Sequence, residues 1–190
     1  MNISRVVDES YAIAAKALVM GTSPQALARA RERAFVKALA ARLRNEYAGD
    51  DIRVFSRFGR GNWREFGAEQ LLSDICVCRV DSGRTGGRQS RDFLFVTEAL
   101  AQAEVELSRD WRREVQALNR LIAGSAAAKL MVTALPARGS AESLETLQAP
   151  FAALPGAASL ALIPHPADWE TTEAAPEAWR LDEGEWIQSS

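Results

Sequence analysis

The chain has 190 residues, 47% of them apolar and 25% charged, which is enough for one compact core and short for two. No apolar run reaches bilayer-spanning length, and the first residues lack a charged head followed by an apolar secretory stretch, so a cytoplasmic address is expected. The net charge of −2 hides an asymmetry: through Arg138 there are 22 bases against 16 acids, a balance of +6, and from Gly139 one base against nine acids, −8. A basic body with an acidic tail suits a polyanion-binding surface, and equally suits a merely uneven surface charge.

Residues 6 to 20, VVDESYAIAAKALVM, read as a helix. Gly21-Thr22-Ser23-Pro24 stops it and starts another, with Ser23 as cap and Pro24 in the first turn, running to about Tyr47 with Leu27, Phe35, Leu39 and Leu43 on one face. Ile52 to Phe58 alternates as a strand does, and residues 59 to 70 read as a loop or a short turn of helix. LLSDICVCRV, from Leu71, is a buried strand with one charge in its middle. DSGRTGGRQSR, from Asp81, is a polar, glycine-rich connection. Phe93 to Leu107 fits either one long bent strand or a short element followed by a strand near Ala101 to Leu107.

Ser108 is placed to cap the next helix, with Asp110 in its first turn; Trp111, Val115, Leu118 and Ile122 repeat at helical spacing, and Gly124 ends it. Lys129 to Leu135 is a strand, Glu142 to Leu154 a helix and Ser159 to Ile163 a strand, an alternation that implies parallel pairing with right-handed crossovers. Pro164 to Ser190 is acidic, and its Trp169, Trp179 and Trp186 call for packing against the body.

Acid placement is the strongest chemical signal. Asp74 stands where a buried strand would normally carry no charge, and Glu104 and Glu106, two apart in AEVEL, point to one face of a strand. Adjacent strands would converge the three carboxylates, which repel unless a hard cation such as magnesium compensates them. On spacing alone, solvent-facing glutamates and an Asp74 that caps a turn or pairs with an arginine account for the same residues.

The order of elements, with Glu32 on a helix, then a strand, a strand bearing Asp74, a strand bearing Glu104-Val105-Glu106, a helix from Ser108 and a strand from Lys129, resembles the core of the PD-(D/E)XK nucleases. The resemblance covers about residues 24–135, with 140–163 as a flank. It implies an α/β domain over residues 1–163 with a central mixed sheet flanked by helices, restriction-endonuclease-like, and an acidic extension over 164–190. It also implies cleavage of phosphodiester bonds, with magnesium or manganese on Asp74 and Glu104. Glu106 stands where the family pattern has lysine, so it would bind metal or manage the attacking water, and Lys129 or Arg120 would supply the basic group. Glu32 is a weaker fourth acid.

Arg53, Arg57, Arg60 and Arg64 interleave with Phe55, Phe58 and Trp63; Arg84, Arg88 and Arg91 decorate the glycine-rich stretch; Arg109, Arg112 and Arg113 open the long helix. Guanidinium forks hold phosphate and aromatic rings stack on bases, so Arg60, Arg64, Arg84, Arg88, Arg109, Arg112 and Arg113 are the expected nucleic-acid contacts. The only histidine, His165, lies between prolines, which argues against a Ser-His-Asp hydrolase or a histidine-rich metal site. Arg84-Thr-Gly-Gly-Arg lacks the Gly-Lys-Ser/Thr of a phosphate loop, and Cys76 and Cys78, whose spacing in one strand is near the upper limit for an unstrained disulfide, read as reduced thiols. The expectation is therefore a magnesium-dependent endonuclease acting on DNA, targeted through a homodimer or a partner protein. Its rivals are a non-catalytic binding or assembly module of the same fold and an interaction domain that docks through the acidic tail.

Overall fold

Two helices open the chain, each started by a side chain that satisfies a free backbone N–H. In the computed structural model, which describes residues 1–86 and 92–189, α1 spans Ile3–Ala15 and α2 spans Pro24–Glu46. Asn2 accepts the Arg5 N–H and Ser23 accepts the Ala26 N–H, with Pro24 in the first turn of α2. α1 stops five residues before the expected end. Leu18 and Met20 are fully exposed, and a helical turn that buries nothing is not held by propensity alone.

The remaining elements are β1 (Ile52–Ser56), α3 (Trp63–Phe66), β2 (Ile75–Arg84), β3 (Asp92–Glu106), α4 (Trp111–Ala123), β4 (Ala128–Ala134), α5 (Ala141–Ala152), β5 (Ala157–Ile163), a 3-10 turn (Pro166–Asp168), β6 (Glu177–Asp182) and β7 (Glu185–Gln188). All seven strands form one mixed sheet in chain order. β1, β2 and β3 are an antiparallel meander, β3, β4 and β5 pair in parallel through α4 and α5, and β6 and β7 return antiparallel. The strand-helix alternation that predicts parallel pairing thus has its counterpart at β3–β4–β5.

Two expectations are corrected, and of the two alternatives for Phe93 to Leu107 the single long strand is the one found. The polar stretch Asp81–Arg84 is strand, because its backbone continues the ladder to Arg84↔Asp92. Residues 92–106 are one strand, and the register slips twice, at Val77/Cys78 and at Arg79/Val80, where Leu100 and Thr97 are the extra residues. Asp110, not Ser108, caps α4, accepting the Arg112 N–H at 3.0 Å.

Each face of the sheet carries its own core. Val6, Phe35, Leu39 and Leu43 of α1 and α2 pack on Val54, Ile75, Val77, Val105 and Val132. Leu118 and Leu121 of α4 and Phe151 of α5 pack on Met131, Leu160 and Leu162. Phe55, Cys76 and Cys78 form a small third cluster with Phe66 against them. The C-terminal residues are tied to the body: the Trp169 indole donates to the Pro164 carbonyl at 2.7 Å, the Trp186 indole donates to the Leu144 carbonyl at 2.8 Å, and buried Arg31 donates to the Pro166 carbonyl at 2.6 Å. Among the described residues no helix is long and apolar enough to cross a membrane.

Candidate functional site

Side chains alternate along strands, so the pair Cys76↔Gln102 puts Asp74, Cys76, Gln102 and Glu104 on the face that α4 covers. Asp74 immediately precedes β2, and Ile75↔Ala103 brings it beside Glu104. Asp74 is 3% exposed and Glu104 0%.

Asp74 Oδ2 accepts the Val105 N–H at 3.1 Å, and Oδ1 lies 3.2 Å from Arg57 Nη1. Burial pushes the Asp74 pKa up, outweighing the Arg57 guanidinium and the Val105 N–H. Glu104 Oε2 accepts from both Nε (2.9 Å) and Nη2 (2.6 Å) of Arg120, one helix turn from the end of α4. Glu104 Oε1 is buried and has no hydrogen-bond partner among the described residues. Burial also raises the Glu104 pKa, against the Arg120 fork and with the added repulsion of Asp74. Two neighbouring acids are thus held where ionisation is costly.

Glu32 of α2 joins from the other side of the meander. Its Oε1 accepts from Arg57 Nη2 at 2.5 Å, so Arg57 bridges Glu32 and Asp74. Burial raises the Glu32 pKa; Arg57 opposes this, and Glu106 and Asp74 add to it. Glu106 is half-buried: Oε1 accepts the Ser108 N–H at 3.0 Å and lies 3.9 Å from Arg113 Nη1, and its charge bears on Asp74, Glu32 and Arg120. Glu114, which the sequence presents only as a first-turn acid of a helix, accepts from the Thr133 hydroxyl at 2.8 Å, and burial raises its pKa.

The two candidate basic groups part company. Arg120 reaches Glu104. Lys129 is 2% exposed and opposite Gln102, but its ammonium donates to the Leu121 and Gly124 carbonyls at 2.7 and 2.8 Å, closing the C-terminus of α4.

The seven arginines expected on nucleic acid are spread over separate elements. Arg60 and Arg64 are exposed around the β1–α3 connection, and Arg84 lies at the end of β2, 3.8 Å from Asp92. Arg109 pairs with Asp168 at 3.0 Å, Arg112 sits over the Trp111 ring and Arg113 is the one that approaches an acid of the site. Arg88 and Arg91 lie outside the described residues. His165 Nδ1 accepts the Ala167 N–H and caps the 3-10 turn. Cys76 and Cys78 are free thiols with sulfurs 3.3 Å apart.

Among the described residues no group of three or more His, Cys, Asp or Glu is arranged to hold a metal ion. The chemistry of the Asp74–Glu104 pair nonetheless fits a hard divalent cation: all donors are carboxylate oxygen, Glu104 Oε1 is buried without a partner, and both acids resist ionising without a compensating charge. The remaining oxygens are engaged by Arg57, Val105 and Arg120, so an ion would share or displace these contacts. No family model matches the chain, and no curated protein or solved structure shows significant similarity to it.

Proposed function

We propose that the chain is a metal-dependent nuclease of restriction-endonuclease-like architecture, acting on DNA in the cytoplasm, with Asp74 and Glu104 as the residues that would hold magnesium or manganese. The observation that carries the reading is the side-by-side burial of these two carboxylates with one oxygen unpartnered. The order α2, β1–β2–β3 meander, α4 and parallel β4 supports it, being the order expected of that core.

A bound cation would supply charge neutralisation at the phosphoryl oxygen and acidify a water. The chain's own groups do the rest. Arg120, whose side chain is 38% exposed beside a fully buried Glu104, has donors left to hold a phosphate oxygen and steady the charge that develops on it. Glu106 supplies a carboxylate near the same strand end that can orient a water. Sequence targeting falls to a second copy or a partner protein.

A second reading, a nucleic-acid-binding module that does not cut, is favoured by the neutralisation of both acids by Arg57 and Arg120 and by Lys129 being committed to α4. Incubating the protein with supercoiled plasmid in Mg2+, Mn2+ or EDTA separates the two. The first reading predicts nicking that needs the ion and is lost in Asp74→Asn and Glu104→Gln. Cleavage undiminished in those variants would remove the site, and no cleavage of duplex, single-stranded DNA or RNA with either ion would leave the binding module.

A further inference from the structure

A groove of about 610 Å3 runs between α2 and the residues from β1 to α3, and neither Asp74 nor Glu104 lines it. Its rim carries Lys37 and Arg44 from α2 and Arg53 and Arg60 from the β1 side. Arg53 is bonded to Glu65, another lining residue, at 3.1 Å. The side chains of Lys37, Arg44 and Arg60 are exposed and make no ion pair or side-chain hydrogen bond among the described residues, so three unpaired positive charges border one opening. Solvated side chains of like sign do not gather round a cavity to stabilise a fold, and they favour an anion there.

The floor is built to stay open. Lys37 and Arg44 are seven residues, two helical turns, apart, about 10 Å along α2, and the intervening positions on that face are Ala40 and Ala41. Two methyl groups leave room for a chain of linked phosphates where longer side chains would fill it.

One further feature answers an anion. Ser56, 3% exposed and lining the groove, has a buried hydroxyl with no partner, an uncommon condition that a phosphoryl oxygen would relieve. The next stretch of backbone is already engaged by a carboxylate of the chain itself, so its N–H groups are not free for a ligand. The N–H groups of Gly61, Asn62 and Trp63 converge on Glu69 at 2.9, 3.2 and 3.1 Å and, despite some desolvation, hold its carboxyl below the ordinary range. Adjacent to Ser56 is Arg57, the bridge to Glu32 and Asp74, so the groove abuts the acid site in sequence and in space.

We infer that this groove binds the sugar-phosphate backbone of a nucleic-acid strand through Lys37, Arg44 and Arg60. The inference rests on nucleic acid being the substrate and adds the track along which the strand lies; Lys37 and Arg44 carry no sequence motif that singles them out.

The test is fluorescence anisotropy with labelled single-stranded and duplex oligonucleotides over a salt series, in EDTA so that no cutting occurs. Wild type is compared with the triple variant Lys37→Ala/Arg44→Ala/Arg60→Ala and with Lys37→Arg/Arg44→Lys, and thermal melts confirm folding. Each phosphate contact contributes roughly 0.9 to the salt slope on duplex DNA and about 0.7 on single strands. The triple variant is expected to lower the slope by about two to three on duplex, with at least a tenfold weaker affinity at low salt, while the charge-keeping variant retains both. An unchanged slope and affinity in the folded triple variant would overturn the inference. With the ion chelated the result is independent of cleavage: an inactive protein with a charge-dependent groove refutes only the nuclease, and an active one with an indifferent groove refutes only the track.

Discussion

Glu104 is fully buried, carries one oxygen with no partner and sits against a second acid, so its ionised form is disfavoured. The native state therefore keeps its proton to higher pH than the unfolded chain does. Stability from that proton is complete below the ordinary carboxyl range and is lost as pH rises through the raised native value. Glu104→Gln, which does not titrate, is accordingly expected to melt at a higher temperature than wild type at pH 7.5, with the gap closing towards pH 4; a variant that melts lower at pH 7.5 would contradict the assignment of burial as the dominant influence. A residue that harms stability yet is placed at the centre of the fold is more readily understood as functional. Asp74 and Glu104 are visible in the sequence because a charge interrupts an apolar strand and because acids alternate at strand spacing. The bridge made by Arg57 is not visible. It depends on α2 lying across the start of the meander, and no local pattern distinguishes Arg57 from Arg53 or Arg60.

At the scale of elements, α4 positions the site from its far end. Arg120 lies one turn before the helix stops, and the stop is made by Lys129, whose ammonium takes two of the terminal carbonyls. A Cβ on Gly124 would meet the amide end of the Gln102 side chain at 1.9 Å, so a larger residue there would force Gln102 to shift. Lys129→Met keeps most of the apolar volume and removes a charged donor from two buried acceptors, a loss of about 2 kcal/mol. Urea denaturation reads it; a change within ~0.5 kcal/mol would mean that the bonds do not hold the helix end. The choice between Lys129 and Arg120 could not be made from the sequence, since both stand close to the acids along the chain and only the path of α4 sends one back to Glu104. The long β2–β3 ribbon was equally hidden: Asp81-Ser-Gly-Arg84 has loop composition, and cross-strand backbone bonding holds it extended.

Across the whole molecule, the chain-order sheet turns an asymmetry of sequence into one of space. The basic groove borders β1, at one edge, and the acid-rich C-terminal strands β6 and β7 form the opposite edge. A polyanion approaching this field is drawn to the β1 side, beside the buried carboxylates. The central claim is that Asp74 and Glu104 share one divalent cation. Titration of Mn2+ into the protein, with free ion followed by electron paramagnetic resonance, tests it most directly. The expected result is one site per chain that tightens as pH rises and the two carboxyls ionise, and that weakens at least tenfold in Asp74→Asn and in Glu104→Gln. Wild-type protein that takes up no Mn2+, or variants that bind it as well as wild type, would contradict the claim.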